Sequence, residues 1–152
     1  MEIAKAYELA RRLMNDHGLT GWSLAFDRAK VRFGVCRRKT KTISLSAALV
    51  ALNSEEHVRD VILHEIAHAL APVGAGHGRE WKMKAKEIGC RPERCYRADQ
   101  VIAPPKKYVG TCPTCKREIK RFKRRRIACG TCCKGIFNEQ HLFVWQQAVI
   151  AS

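Results

Sequence analysis

The sequence predicts an α+β protein in two parts. Residues 1–103 form a helix-rich unit with a small antiparallel sheet, and residues 104–152 form a small metal-stapled unit. Three observations carry this. Apolar residues recur at helical spacing over 2–16 and again between Val58 and Ala71. Three short strand-like runs with brief links lie between those helices. Four of the eight cysteines make two CxxC pairs near the end of the chain, a metal-ligand spacing.

Taken in order, Ile3, Ala6, Leu9, Ala10 and Leu13 give an amphipathic first helix that stops near His17 and Gly18. WSLAFD (22–27), VRFGVC (31–36) and TISLS (42–46) read as strands, paired antiparallel because such short links hold no crossover. Asn53 and Ser54 supply an N-cap, and Glu55 and Glu56 sit where the helix dipole favours acids. That second helix ends by Ala71, since Pro72 cannot continue it. VGAGHG (73–78) is a glycine-rich turn, and Arg79 to Ile88 form a further helix with Trp81, Ala85 and Ile88 on one face. Residues 90–111, with Pro92, Pro104 and Pro105, read as linker, and HLFVWQQAVI (141–150) as a closing strand.

At 46% hydrophobic, a chain of 152 residues can bury a core and is not generally disordered. The charged opening MEIAKAYELARRL is no signal peptide, and uncharged runs such as ISLSAALVALNS (43–54) are too short to cross a bilayer. The expectation is an intracellular protein, cytoplasmic or nucleoid/nuclear, not secreted and without a membrane partner. The net charge of +15 is uneven: residues 1–103 hold 18 Lys+Arg against 12 Asp+Glu, and residues 104–152 hold 11 against 2. That density in the tail points to a polyanion, most often nucleic acid.

HEIAH (64–68) is the chemical centre of the first part. Residues four apart on a helix share a face, about 6 Å apart along the axis, so His64 and His68 can aim two imidazoles at one ion. Glu65 is off that face and suits a general base better than a ligand. A catalytic zinc takes three protein ligands and keeps one position open. Pro72 and the glycines at 74, 76 and 78 let the chain double back, which makes His77 the third ligand, with Glu80 as the nearby competitor.

CPTC (112–115) and CGTC (129–132) bring four thiolates, Cys112, Cys115, Cys129 and Cys132, to a closed structural zinc site of zinc-ribbon type. Cys133 is an alternative to Cys132. The cations expected on nucleic acid are Lys106, Lys107, Lys116, Arg117, Lys120, Arg121, Lys123, Arg124, Arg125, Arg126 and Lys134. They would follow phosphates without sequence preference. Ile119, Phe122 and Ile127 interrupt them and can face a small core; Phe122 and Tyr108 serve either as core or as faces for unpaired bases. Cys36, Cys90 and Cys95 read as ordinary thiols, and His17, His57 and His141 as structural or exposed.

HEIAHAL followed by HGREW resembles the SprT-like zinc metalloprotease family (SprT/Spartan-type). The likeness extends through GWSLAFD, ISLS and VRDVILHE to the ribbon-like tail, as a minimal protease domain plus zinc ribbon. It implies an HExxH zincin-like metalloprotease domain followed by a C-terminal zinc-ribbon subdomain. In that family the positions of His64, His68 and His77 bind zinc, and that of Glu65 is the catalytic base. It further implies cofactors of one catalytic and one structural Zn2+. The expected partners are single- or double-stranded DNA and the protein substrates bound or crosslinked to it. Two rivals stand beside this: a nucleic-acid-binding zinc protein with an idle metal site, and a zinc hydrolase of non-peptide substrates.

Overall fold

The computed structural model describes residues 1–92 and 101–149. The chain divides into two compact units, Met1–Pro104 and Pro105–Ser152.

In the first unit α1 (Ile3–Asp16) buries Ala6, Leu9, Ala10, Leu13 and Met14, the stripe its spacing predicts. Gly18, at φ 75°, closes it, and the Leu19 N–H returns to the Met14 carbonyl at 2.7 Å. Strands β1 (Ser23–Asp27), β2 (Gly34–Arg37) and β3 (Thr42–Ser46) form one sheet in the order β1-β3-β2. β2 pairs antiparallel with β3, but β1 pairs parallel with β3, Ser23 opposite Thr42 and Asp27 opposite Ser46. The sheet is therefore mixed, which corrects the antiparallel expectation. The short-link rule applies to consecutive strands; here the whole of β2 lies within the connection that carries the chain from β1 to its parallel neighbour.

β3 is the central strand, and Ile43, Ser44, Leu45 and Ser46 are all buried. Its two buried hydroxyls are satisfied, Ser44 donating to Asp27 Oδ2 (2.8 Å) and Ser46 to the Ala29 carbonyl (2.6 Å). Ser46 also caps α2 (Ala47–Leu52), a helix the sequence reading missed because AALVAL continues an apolar run. α3 (Glu55–Leu70) starts at Ser54, whose hydroxyl accepts from the His57 N–H, and stops before Pro72. It buries Val58, Val61, Ile62 and Ile66 against α1 and the sheet. α4 (Arg79–Glu87) buries Trp81 and Ala85 and ends at Gly89, φ 74°.

The second unit is a three-stranded antiparallel sheet in the order β5-β4-β6, built from β4 (Tyr108–Thr111), β5 (Glu118–Arg121) and β6 (Val144–Gln147). β4 lies within the stretch expected to be linker, so the linker is shorter than its prolines suggested. Residues 93–100 of that stretch, including Cys95, and the last residue of the expected closing strand lie outside the described residues. The buried core is Cys112, Cys129 and Phe143, flanked by Ile119, Ile127, Cys132 and Trp145. α5 (Gly130–Cys133) is one turn around the second CxxC pair.

Candidate metal centres

Helix spacing, a proline and a glycine-rich turn together bring the three histidines to one point. α3 sets His64 and His68 on one face, Pro72 ends the helix, and Gly74 (φ 86°) and Gly76 (φ 53°) turn the chain back. His77 Nε2 then lies 3.0 Å from His64 Nε2 and 3.0 Å from His68 Nε2. Tetrahedral zinc with Zn–N of about 2.0–2.1 Å separates two ligand nitrogens by roughly 3.3 Å, so the donor set fits with a slight opening. Glu80 is not part of this cluster.

Burial, and then the neighbouring histidines, lower the pKa of His64 to about 4; burial and His77 do the same for His68. Both rings are therefore neutral near neutral pH, with a lone pair for a metal. Trp81 is fully buried and forms their floor, its ring centroid 4.7 Å from His64, 5.2 Å from His68 and 4.6 Å from His77.

Glu65 lines the same cavity, of about 360 Å³, with Gly34, Cys36, Arg38 and the three histidines. Only 7% of it is exposed. Burial raises its pKa to about 7, opposed by the Cys36 backbone N–H and the charge of Arg32. Gly34 passes so close that a Cβ there would lie 2.7 Å from Glu65 Oε1. Arg38 donates from Nη1 to the His68 carbonyl (2.7 Å) and to the Ala71 carbonyl, which closes the C-terminal end of α3. Sequence reasoning missed Gly34, Arg38 and the Cys36 amide, since each acts across strand-to-helix packing that no local pattern displays.

The four expected thiols also converge, with Cys112 Sγ 3.8 Å from Cys132 Sγ and Cys115 Sγ 3.6 Å from Cys129 Sγ. Zn–S bonds of about 2.3 Å in a tetrahedron put sulfurs roughly 3.8 Å apart, so this set fits zinc closely. The backbone N–H groups of Cys115 and Thr114 lower the pKa of Cys112 to about 6, which favours the ligating thiolate. Cys133 stays outside the cluster, its thiol directed to the Asn138 carbonyl (3.9 Å). His141 lies beside the first CxxC pair with Nδ1 2.7 Å from Thr114 Oγ1.

The SprT-like family profile matches residues 4–100. The chain belongs to the SprT-like family. Protein SprT of Glaesserella parasuis is 27% identical to this SprT-like chain over 143 residues, covering 86% of it and 91% of the relative. Protein SprT of Pseudomonas putida F1 is 26% identical over 113 residues, covering 65% and 69%. Among solved structures, the metallopeptidase zymogen of Methanocaldococcus jannaschii jannalysin matches at TM-score 0.47 and 16% identity. That match covers 62% of this SprT-like chain and 85% of the zymogen.

The eleven cations of the second unit expected on nucleic acid are all exposed. Several have local partners. Arg117 donates to Thr131 (2.8 Å), Lys116 to the Pro113 carbonyl (2.8 Å), and Arg126 pairs with Glu139. Ile119 and Ile127 pack on the cysteine core as expected. Tyr108 is half-buried beneath the Arg124 guanidinium, 5.4 Å from its ring centroid, and Phe122 is half-buried. No helix among the described residues is long and apolar enough to cross a membrane.

Proposed function

We propose that this chain is a zinc metallopeptidase held on DNA by its basic second unit, with proteins bound or crosslinked to that DNA as its substrates. The observation that carries the hydrolase is the one cavity shared by three converging imidazoles and a buried carboxylate. His64, His68 and His77 would hold the ion. Zinc supplies a Lewis acid that polarises a carbonyl and acidifies a water.

The rest belongs to the chain's own residues. Glu65, raised to about 7, is matched to accept a proton from water near neutral pH and to return it to the leaving amine. The Cys36 N–H orients that carboxylate, and Gly34 leaves it room. Trp81 and Arg38 hold the histidine-bearing segments in register from below and behind.

Charge supports the DNA part of the reading: exposed Lys and Arg on the ribbon make a salt-sensitive, sequence-independent contact with phosphates. The deciding experiment incubates purified protein with a DNA-binding substrate protein and DNA. Glu65→Gln is expected to cleave about 10²–10⁴-fold more slowly while zinc content and DNA affinity stay unchanged. If wild type and Glu65→Gln are equally inert with zinc and DNA bound, the chain is a nucleic-acid-binding zinc protein instead.

A further inference from the structure

We infer that the first unit carries a phosphate-backbone contact of its own: Arg37, Lys39 and Lys41 on the β2–β3 turn, beside the cavity that Arg38 lines. The inference rests on the nucleic-acid reading of the ribbon and extends it to the unit that holds the three histidines.

RRKTK (37–41) places four cations in five residues with no acid among them. Such a run is ordinarily a solvated surface. Here three features set it apart. The first is order. Arg38–Thr40 form a 3-10 turn, the Lys41 N–H donates to the Arg38 carbonyl (3.1 Å), and Thr42 Oγ1 donates to the Thr40 carbonyl (2.9 Å). The Lys41 carbonyl accepts from the Ser23 N–H (2.8 Å), which ties the turn to β1. Lys41 itself stands at φ 45°, a left-handed position that glycine or asparagine fills at less strain.

The second feature is charge left unanswered. Arg37, Lys39 and Lys41 are exposed, and among the described residues none of them is in an ion pair. Four cations crowded on one turn repel each other, and a polyanion relieves that repulsion.

Anchorage is the third. Arg38 spends its Nη1 on the carbonyls of His68 and Ala71, so the turn is fixed to the helix that presents two of the imidazoles. The backbone that carries the cations on either side is thus fixed before any ligand arrives, which removes part of the entropy lost on binding. A row of exposed cations suits a phosphodiester backbone, which is read by charge and position. Nucleic acid held there would bring its bound proteins to the cavity mouth.

The test is the salt dependence of binding to a labelled mixed-sequence oligonucleotide, read by fluorescence anisotropy on the full chain. Arg37→Gln/Lys39→Gln/Lys41→Gln should reduce the slope of log K against log salt by about 2 to 3, at roughly 0.7–0.9 for each phosphate no longer neutralised. Lys39→Gln alone, at the tip of the turn, should reduce it by about 0.8 and serves if the triple variant does not fold. A ribbon variant, Lys120→Gln/Arg121→Gln/Lys123→Gln, is measured alongside. If the ribbon variant lowers the slope and both turn variants match wild type, the turn is only a solvated surface and the inference is overturned. Should neither kind of variant change binding, the nucleic-acid reading of the ribbon fails first. Polyglutamate that displaces the oligonucleotide equally well, charge for charge, would assign the turn to acidic proteins and also overturn it.

Discussion

Glu65 and Gly34 compete for the same space: a Cβ on residue 34 would lie 2.7 Å from Glu65 Oε1, 2.8 Å from its Cγ and 3.0 Å from its Cδ. The glycine is not demanded by backbone conformation, since it sits in a regular strand pair with Leu45. It is demanded by the carboxylate. Three close approaches along one side chain mean that the whole of Glu65 would have to rotate, not merely its tip.

Gly34→Ala is therefore expected to slow cleavage about 100-fold, the scale at which a displacement of roughly 1 Å acts on catalysis. Gly34 is not one of the three residues that form the histidine cluster, so zinc content should match wild type. Steady-state cleavage and zinc analysis on one preparation check both. Wild-type cleavage by Gly34→Ala would show that the position of Glu65 is immaterial.

Trp81 supports all three imidazoles from one fully buried ring, so its loss should damage both fold and metal site. Trp81→Ala is expected to cost about 3–5 kcal/mol in urea unfolding and to weaken zinc binding at the histidine site. Trp81→Phe should lose less than half of that. It keeps a ring in the floor and removes an indole N–H that has no hydrogen-bond partner among the described residues. Equal losses for Ala and Phe would mean that the floor does not act by ring packing.

The parts of the site legible in the sequence were those set by local rules. Helix periodicity placed His64 and His68 together, and Pro72 with the glycines of 74–78 allowed His77 to return. CxxC spacing likewise singled out the four thiols that converge. What stayed hidden depends on contacts far apart in sequence. The parallel β1–β3 pair spans the intervening strand, so no link length reveals it. Arg38 reaches carbonyls about thirty residues onward, and nothing in RRKTK marks which cation does so. α2 was hidden for a different reason: six apolar residues fit a strand, a helix or a buried run equally well.

Outside the cysteines, Phe143 is the one fully apolar side chain buried in the core cluster of the second unit, among the described residues. Zinc binding of about 10–16 kcal/mol would outweigh so small a core, so the unit is expected to fold on its metal. Cys112→Ser should drop zinc content from about two ions per chain to about one. It should also collapse the dispersed amide resonances of Tyr108–Thr111 and Val144–Gln147, and leave those of α1 and α3 in place. A second unit that stays dispersed without its zinc would contradict the structural role given to the four thiols.

Asp27 gives stability with a defined pH dependence. Burial raises its carboxyl pKa, but the Ala29 N–H (2.9 Å), the Ser44 hydroxyl (2.8 Å) and Arg32 (2.6 Å) outweigh burial and leave it below 3.8. A carboxyl whose folded pKa is depressed stabilises the fold fully above its unfolded value and ceases to as pH falls through the folded one. Asp27→Asn should thus unfold more easily than wild type by about 1–2 kcal/mol near neutral pH, the scale of hydrogen bonds to a charged group. The gap should narrow as pH drops below the ordinary carboxyl value of about 4 and close once the folded carboxyl, held lower still, takes up its proton. Urea unfolding of both proteins across that range checks it, and since any acid release of zinc is common to both, it cancels in their difference. A gap that held constant down to strongly acidic pH would mean that the Asp27 charge contributes nothing and only its shape matters.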